Sequence, residues 1–194
     1  MSQSWDDYAE NWDTNSDVII YSQKAYETLC DEVDLKELAV LDFGCGTGLL
    51  CEKISSLASS VLAVDSSPKM IDELLKKNLP NVKLLACEVS EQAIQSNHLL
   101  QTKFDLIVAS SVCAFLSDFE KTLFDLKSLL RPDGLFIQWD WKCSEREPDF
   151  GFSQEMILDA YANVGLNIIT VKTAFSLSTE KGPMEVIMGI GKNS

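Results

Sequence analysis

The stretch Val40–Gly48, which reads VLDFGCGTG, decides the fold because three glycines stand at alternate positions directly after a short apolar run. Glycine adopts backbone conformations that other residues rarely reach, and it lets a ligand approach the main chain closely. A helix that begins after such a turn aims its first N–H groups at the ligand. The stretch therefore predicts a buried strand, a ligand-binding turn and a helix in succession.

The glycine spacing separates this turn from two common nucleotide-binding motifs. The dinucleotide fingerprint G-x-G-x-x-G would need its third glycine at position 49, where Leu49 stands. A P-loop would need Gly-Lys-Ser or Gly-Lys-Thr, which does not follow. Both a nicotinamide-dependent oxidoreductase and a P-loop enzyme are disfavoured, the first less firmly than the second.

An acidic residue, Asp65, ends the next apolar run, seventeen residues after Gly48. A carboxylate at the end of the second strand of such a fold can accept two hydrogen bonds from a ribose diol. A purely structural alternative stays open, in which Asp65 only places a negative charge at a helix N-terminus. The glycine turn and Asp65 together, on consecutive strand–helix units, predict a ligand with a nucleoside part.

Short apolar runs alternate with amphipathic stretches from about residue 38 onward, which predicts a parallel sheet covered by helices. The predicted strands are Ala39–Phe43, Val61–Val64, Val82–Ala86, Phe104–Ser110 and Leu135–Trp139. The predicted helices between them are Leu49–Leu57, a helix within 66–78, Glu91–Ser96 and Asp118–Leu130, the last stopped by RPDG.

The pattern changes after the fifth strand, where a helix in 153–165 precedes two long β-like runs, 166–177 and 184–192. We expect these runs, joined by STEKGP, to form an antiparallel hairpin that closes the sheet. At the other end, a helix from about Ser16 to Val33 caps the fold. We therefore predict a single domain over 1–194, with a lid and cap helix over 1–37 and a core over 38–194.

The charge and cysteine composition of the chain restricts the kinds of ligand that it can bind. The chain has 30 acidic and 16 basic residues, a formal net charge of −14 and a sequence pI near 4.4. Nucleic acid demands a clustered basic surface, so a nucleic-acid substrate is disfavoured. The six cysteines form no C-x-x-C pair and the chain has one histidine, so we predict no metal site.

Nothing in the sequence suggests a secretory leader or a membrane span. We therefore expect a cytoplasmic protein with free thiols. No heptad pattern indicates assembly, so the chain is expected to be a monomer or a homodimer.

Taken together, these motifs resemble those of the class I S-adenosylmethionine-dependent methyltransferases, over nearly the whole chain. VLDFGCGTG is similar to the first family motif and AVDSSPKMI to the second. ACEVSE, FDLIVASSVCAFL and LLRPDGLFIQWDW correspond to the third, fourth and fifth. The resemblance implies a Rossmann-like, doubly wound, three-layer α/β/α fold with a mostly parallel seven-stranded sheet whose last strand is antiparallel.

The resemblance also implies a cofactor site for S-adenosylmethionine, which leaves as S-adenosylhomocysteine. Asp65 is then the ribose acid, Met70 lies near adenine, and Glu88 stands where an Asp is more usual. The methyl group would face residues after the fourth strand. The implied cofactor-binding residues are Asp42, Phe43, Gly44, Cys45, Gly46, Gly48, Asp65, Ser66, Met70, Glu88, Val89, Ser110, Tyr8, Trp12 and Tyr21.

Methyl transfer from a sulfonium needs no acid for its neutral leaving group, so a base is the open question. No histidine follows the fourth strand, and Asp140 is our candidate base, with Cys113 and Tyr21 as weaker ones. We predict transfer to a small-molecule acceptor. The alternative is a regulatory protein or subunit that binds the cofactor without chemistry.

Two further alternatives stay open at this stage. Glu88 is as well explained by a solvated loop acid as by a ligand contact. The segment WDDYAENWD, which holds Tyr8 and Trp12, is either a partly disordered tail or a lid that excludes water from the site. We favour the lid.

Overall fold

A computed structural model describes residues 4–143, 150–179 and 182–194 of the chain. Two compact units make it up, Met1–Glu88 and Val89–Ser194. Seven strands form a sheet in the order β3-β2-β1-β4-β5-β7-β6. The strands are β1 Ala39–Phe43, β2 Ser60–Asp65, β3 Val82–Ala86, β4 Phe104–Ser110, β5 Leu130–Trp141, β6 Asn167–Thr179 and β7 Gly182–Lys192.

The first unit contains β1, β2 and β3, which pair in parallel. Its helices are α1 Ser16–Glu32, α2 Leu49–Ser55 and α3 Pro68–Lys76, preceded by 3-10 segments at Trp5–Asp7 and Ala9–Thr14. Helix α3 lies within the helix predicted in 66–78. At its start the Ser67 hydroxyl accepts the Met70 N–H at 3.2 Å and Pro68 opens the first turn. Its buried face consists of Met70, Ile71 and Leu74.

The second unit contains the other four strands and helices α4 Glu91–Ser96, α5 Phe119–Lys127 and α6 Gln154–Asn163. Strands β4 and β5 are parallel, whereas β7 is antiparallel to both β5 and β6. The predicted closing hairpin and the reversed last strand are therefore confirmed. Residues 180–181 of its STEKGP connection lie outside the described residues.

The predicted boundary between the Asp118–Leu130 helix and the fifth strand, which was predicted to begin at Leu135, was wrong. The sequence placed Leu130 on a helix and RPDG at its end, but α5 ends at Lys127 and β5 already begins at Leu130. Asp133 adopts a left-handed φ of 64°, and the β4–β5 register shifts between Phe104 and Leu106. The turn-like RPDG is thus accommodated as an irregularity inside a long strand.

Candidate functional site

The glycine turn lies between β1 and α2, and its backbone explains its composition. Gly44, Gly46 and Gly48 have φ values of 68°, 54° and 84°, a region that L-residues rarely adopt. A Cβ on Gly48 would lie 2.2 Å from Leu74 Cδ1, so this glycine also permits close packing against α3. Gly46 meets no such obstacle, since its Cβ would lie 3.7 Å from Trp12 Nε1.

Asp65, at the end of β2, is bonded directly to this turn. Its Oδ2 accepts the Gly46 N–H at 2.8 Å, and its Oδ1 accepts the Ser67 N–H at 2.8 Å. Burial raises the pKa of Asp65, and these backbone N–H groups act against that rise. A carboxylate has about four acceptor sites, and the backbone N–H groups of Gly46, Ser66 and Ser67 do not fill them all, so Asp65 is fixed in place while still able to accept a further hydrogen bond.

Asp42 is the most deeply buried acid of the first unit, with 1% of its surface exposed. Within the part of the chain that the structure describes, its Oδ2 has no hydrogen-bond partner. Burial, followed by repulsion from Asp65, raises the pKa of Asp42 to about 7. A buried acceptor without a donor is costly, and a bound cationic or N–H donor group would relieve that cost.

Cys45, inside the turn, is a buried thiol. Its pKa is raised by burial first and then by the negative charges of Asp42 and Asp65. Such a thiol resists ionisation and is a poor nucleophile. Its buried position fits a small side chain that fills space in the turn.

The segment before α1 packs onto the glycine turn and onto the start of α3 through two carboxylates. Asp13 accepts the hydroxyl of buried Thr47 and forms an ion pair with Lys77 Nζ at 2.9 Å. Asp6 accepts the hydroxyl of Ser67 and lies at the N-terminus of α3, where a negative charge is favourable. The segment is therefore anchored at two points.

Three aromatic rings of this N-terminal segment form one cluster. The ring centroids of Trp5, Tyr8 and Trp12 lie 6.1 to 6.3 Å apart in tilted or edge-on arrangements, which aromatic pairs favour. Trp5 and Tyr8 are about two-fifths exposed. The described part of the segment is thus ordered, and Trp12 faces Gly46.

The remaining predicted residues of the first unit differ in exposure. Phe43, Met70 and Tyr21 are buried, whereas Ser66 and Glu88 are exposed. Glu88 follows β3 without a described hydrogen bond that would fix it.

The second unit holds the other predicted residues, Val89, Ser110 and Asp140. Val89 is buried and Ser110 is the last residue of β4. Asp140 is 1% exposed and lies near the end of β5. Burial raises its pKa to about 7, against hydrogen bonds from Ala114, Gln138 and Cys113.

Sequence reasoning missed the anchoring residues Asp6, Asp13, Thr47, Ser67 and Lys77. The first two are ordinary members of an acidic chain. Their partners stand 61 and 34 residues away, so no local pattern could pair them. Among the described residues, no three His, Cys, Asp or Glu side chains gather to hold a metal ion.

Comparison with known proteins places this geometry in a family. A family model described as "Methyltransferase domain" matches residues 41–136, which include the glycine turn, Asp65 and β4. These residues form a methyltransferase domain. The predicted methyltransferase family is thereby confirmed, and the seven-stranded sheet with its reversed last strand confirms the predicted fold.

Two solved methyltransferase structures share the fold. A SAM-dependent methyltransferase from Aquifex aeolicus has a TM-score of 0.69 at 22% identity, covering 87% of this chain and 89% of that one. A putative methyltransferase of Haloferax volcanii, solved with the Trm112 methyltransferase activator, has a TM-score of 0.79 at 13% identity, with 100% and 99% covered.

A curated relative is closer in sequence but longer. The malonyl-[acyl-carrier protein] O-methyltransferase of Halalkalibacterium halodurans is 36% identical over 104 residues. The match covers 51% of this chain and 37% of that protein, so the chain aligns with less than two-fifths of its relative.

Among the described helices, none combines the length and the hydropathy that a membrane span requires.

Proposed function

We propose that this chain binds S-adenosylmethionine and transfers its methyl group to a small-molecule acceptor. The observation that carries the proposal is the hydrogen bond between the glycine turn and Asp65. Asp42 stands two residues before the turn's first glycine, and its Oδ2 has no partner among the described residues. Both acids lie inside the methyltransferase-domain match. The cofactor offers a ribose diol, which the remaining acceptor capacity of Asp65 can bind, and an ammonium group, which is a donor of the kind that Asp42 Oδ2 lacks among the described residues.

The residues of the first unit have distinct roles in this proposal. Asp65 accepts the ribose hydroxyls, and Asp42 balances the ammonium charge of the methionyl end. The glycines admit the cofactor against the main chain, and Tyr8 and Trp12 cover it as parts of a lid. When bound, the cofactor supplies an electrophilic methyl group on a sulfonium, and the protein contributes position and electrostatics.

An acidic site suits a cationic cofactor. Asp6, Asp13, Asp42 and Asp65 all lie on or near the glycine turn, and a sulfonium loses its charge when the methyl group leaves. The aromatic cluster at Trp5, Tyr8 and Trp12 offers ring faces to the cation before transfer. The product therefore binds with less electrostatic stabilisation than the substrate cofactor.

The acceptor is inferred to be a metabolite with an oxygen nucleophile. The net charge of −14 argues against a polyanionic acceptor, and the curated relative described above is named an O-methyltransferase. No histidine stands after β4 to act as base. An acceptor that is already ionised, such as a carboxylate or an acidic phenol, fits this absence.

A methyl-transfer assay tests the proposal. Purified protein is incubated with methyl-labelled S-adenosylmethionine and one of four acceptors: malonyl-pantetheine, catechol, dithiothreitol or ethanolamine. We expect S-adenosylhomocysteine and labelled product with an oxygen acceptor, and none with the Gly46→Val variant. The opposite outcome is cofactor binding without methyl transfer to any of these acceptors or to any compound in a deproteinised metabolite extract. That result would contradict the proposed enzyme and favour a cofactor-binding regulatory protein.

A further inference from the structure

Two carboxylates of the first unit meet at one residue, Ser67, at the start of α3. Asp65 Oδ1 accepts the Ser67 N–H at 2.8 Å, and Asp6 Oδ1 accepts the Ser67 hydroxyl. The pKa of Asp65 is raised by burial first, and the negative charge of Asp6 adds to that rise. The two acids are therefore close enough to repel each other.

The 3-10 segment Trp5–Asp7 holds Asp6 in this position. Ser4 caps the segment, since its hydroxyl accepts the Asp6 N–H at 3.4 Å and its own N–H donates to Asp7 Oδ2 at 3.1 Å. Asp6 is half-buried, whereas Asp7 is exposed. The backbone of the segment therefore helps to place the Asp6 carboxylate, in addition to its bond with Ser67.

The Asp6 carboxylate takes donors that a bound anion would otherwise use. The first N–H groups of a helix attract phosphate and carboxylate groups. In α3 the Ser67 hydroxyl accepts the Met70 N–H at 3.2 Å, and the Lys69 N–H lies 3.5 Å from Asp6 Oδ1. The chain therefore fills the start of α3 with a negative charge of its own.

This charge lies beside the acid that binds ribose in the proposed function. A free diol is neutral and gains hydrogen bonds at Asp65. A phosphate on either hydroxyl carries up to two negative charges, and it would have to enter next to Asp6. Sites that accept a 2′-phosphate in related folds place an arginine near this point, whereas this chain places a carboxylate there.

We propose that Asp6 is a specificity-determining residue, which excludes adenosine compounds that carry a phosphate on the 2′ or 3′ oxygen of the ribose. The inference rests on the proposed function, because it takes Asp65 to be the acceptor of the ribose diol. It differs from the anchoring role of Asp6. An anchor alone would affect the binding of phosphorylated and unphosphorylated ligands equally.

A charge-neutral variant separates the two roles. Asp6→Asn removes the negative charge but keeps an oxygen that can accept the Ser67 hydroxyl. The matched control is Glu10→Gln, which neutralises an exposed acid in the following 3-10 segment, Ala9–Thr14. Urea unfolding checks that both variants are folded. The ligands are adenosine, adenosine 2′-phosphate and adenosine 3′-phosphate, whose affinities are measured by calorimetry in competition with S-adenosylhomocysteine.

The decisive quantity is the ratio of the affinity for adenosine to the affinity for each phosphorylated ligand. We expect a ratio of about a hundred or more in the wild type, as for a like-charge contact. Asp6→Asn should lower it about tenfold by binding the phosphorylated ligands more tightly, and Glu10→Gln should leave it unchanged. An unchanged ratio in Asp6→Asn would overturn the inference, as would an equal decrease in Glu10→Gln.

The same titrations distinguish failure of this inference from failure of the proposed function. If the wild type binds S-adenosylhomocysteine and adenosine but Asp6→Asn keeps the wild-type ratio, only the specificity role of Asp6 is wrong. If the folded wild type binds neither ligand, the proposed function fails and the inference fails with it.

Discussion

The Asp65 carboxylate accepts the Gly46 N–H at 2.8 Å, so the end of β2 and the glycine turn after β1 are fixed to each other. Its other oxygen accepts the Ser67 N–H at the start of α3. The glycine turn, the end of β2 and the start of α3 therefore meet at the Asp65 side chain. In the proposed function Asp65 binds the ribose diol, and this orientation before any ligand arrives would lower the entropic cost of binding.

Replacing Asp65 should weaken cofactor binding more than it weakens the fold. Asp65→Ala removes a charged acceptor, and we expect S-adenosylhomocysteine affinity to fall by about ten- to a hundredfold. Titration calorimetry measures this. Asp72→Asn, an exposed acid on α3, is the control, and equal affinity of Asp65→Ala and wild type would remove Asp65 from the site.

The glycine turn offers a comparison between strain and function. Gly46→Ala and Gly182→Ala both place a side chain at positive φ, 54° and 105°, and neither Cβ meets an atom closer than 3.7 Å. Each should lose about 1–2 kcal/mol of stability. Only Gly46→Ala should also lower cofactor affinity, as checked by denaturation and calorimetry on both variants; equal affinities in the two variants would contradict a binding role for Gly46.

The anchors of the N-terminal segment should control how long the cofactor stays bound. Asp13→Ala removes the bond to Thr47 and the ion pair with Lys77, so the segment should open more often and the dissociation rate should rise. Stopped-flow tryptophan fluorescence reports this rate through Trp12. Exposed Glu10 provides the control, and a dissociation rate in Asp13→Ala no faster than in Glu10→Ala would argue against a lid.

Burial of Asp42 gives stability a predictable dependence on pH. Its pKa is about 7 in the folded chain against 3.8 for the free group, so the folded state binds more protons between these values. Stability therefore falls as pH rises from about 4 to about 7. Urea unfolding at pH 5 and pH 8 should show a smaller difference in Asp42→Asn than in the wild type, and an unchanged difference would mean that Asp42 stays ionised.

The same group should make cofactor binding depend on pH. An ammonium beside Asp42 favours its ionised form, so binding between pH 5.5 and 7 must release a proton. We expect affinity for S-adenosylhomocysteine to rise across this range in the wild type and to stay flat in Asp42→Asn. Calorimetry in two buffers of different ionisation enthalpy detects the proton directly; its absence would place the ammonium elsewhere.

Much of the fold follows from local sequence patterns. Apolar runs located all seven strands, and the helix predicted within 66–78 contains α3. Position 130 was misassigned because RPDG has turn chemistry that a long strand absorbed as an irregularity. Asp6 and Asp13 were missed because their contacts join distant parts of the chain, and among 30 acids no composition signal distinguishes them. Domain organisation, assembly state and the individual site roles stay predictions.

Thermal unfolding with S-adenosylmethionine, S-adenosylhomocysteine and NAD in parallel tests the central claim most directly. A ligand at a hundred times its Kd stabilises by about 2.7 kcal/mol, which is roughly 5 to 10 °C in a chain of this size. The account predicts such a shift with both sulfur nucleosides, none with NAD, and a loss of the shift in Asp65→Ala. A folded wild-type protein that shifts with neither sulfur nucleoside would contradict it.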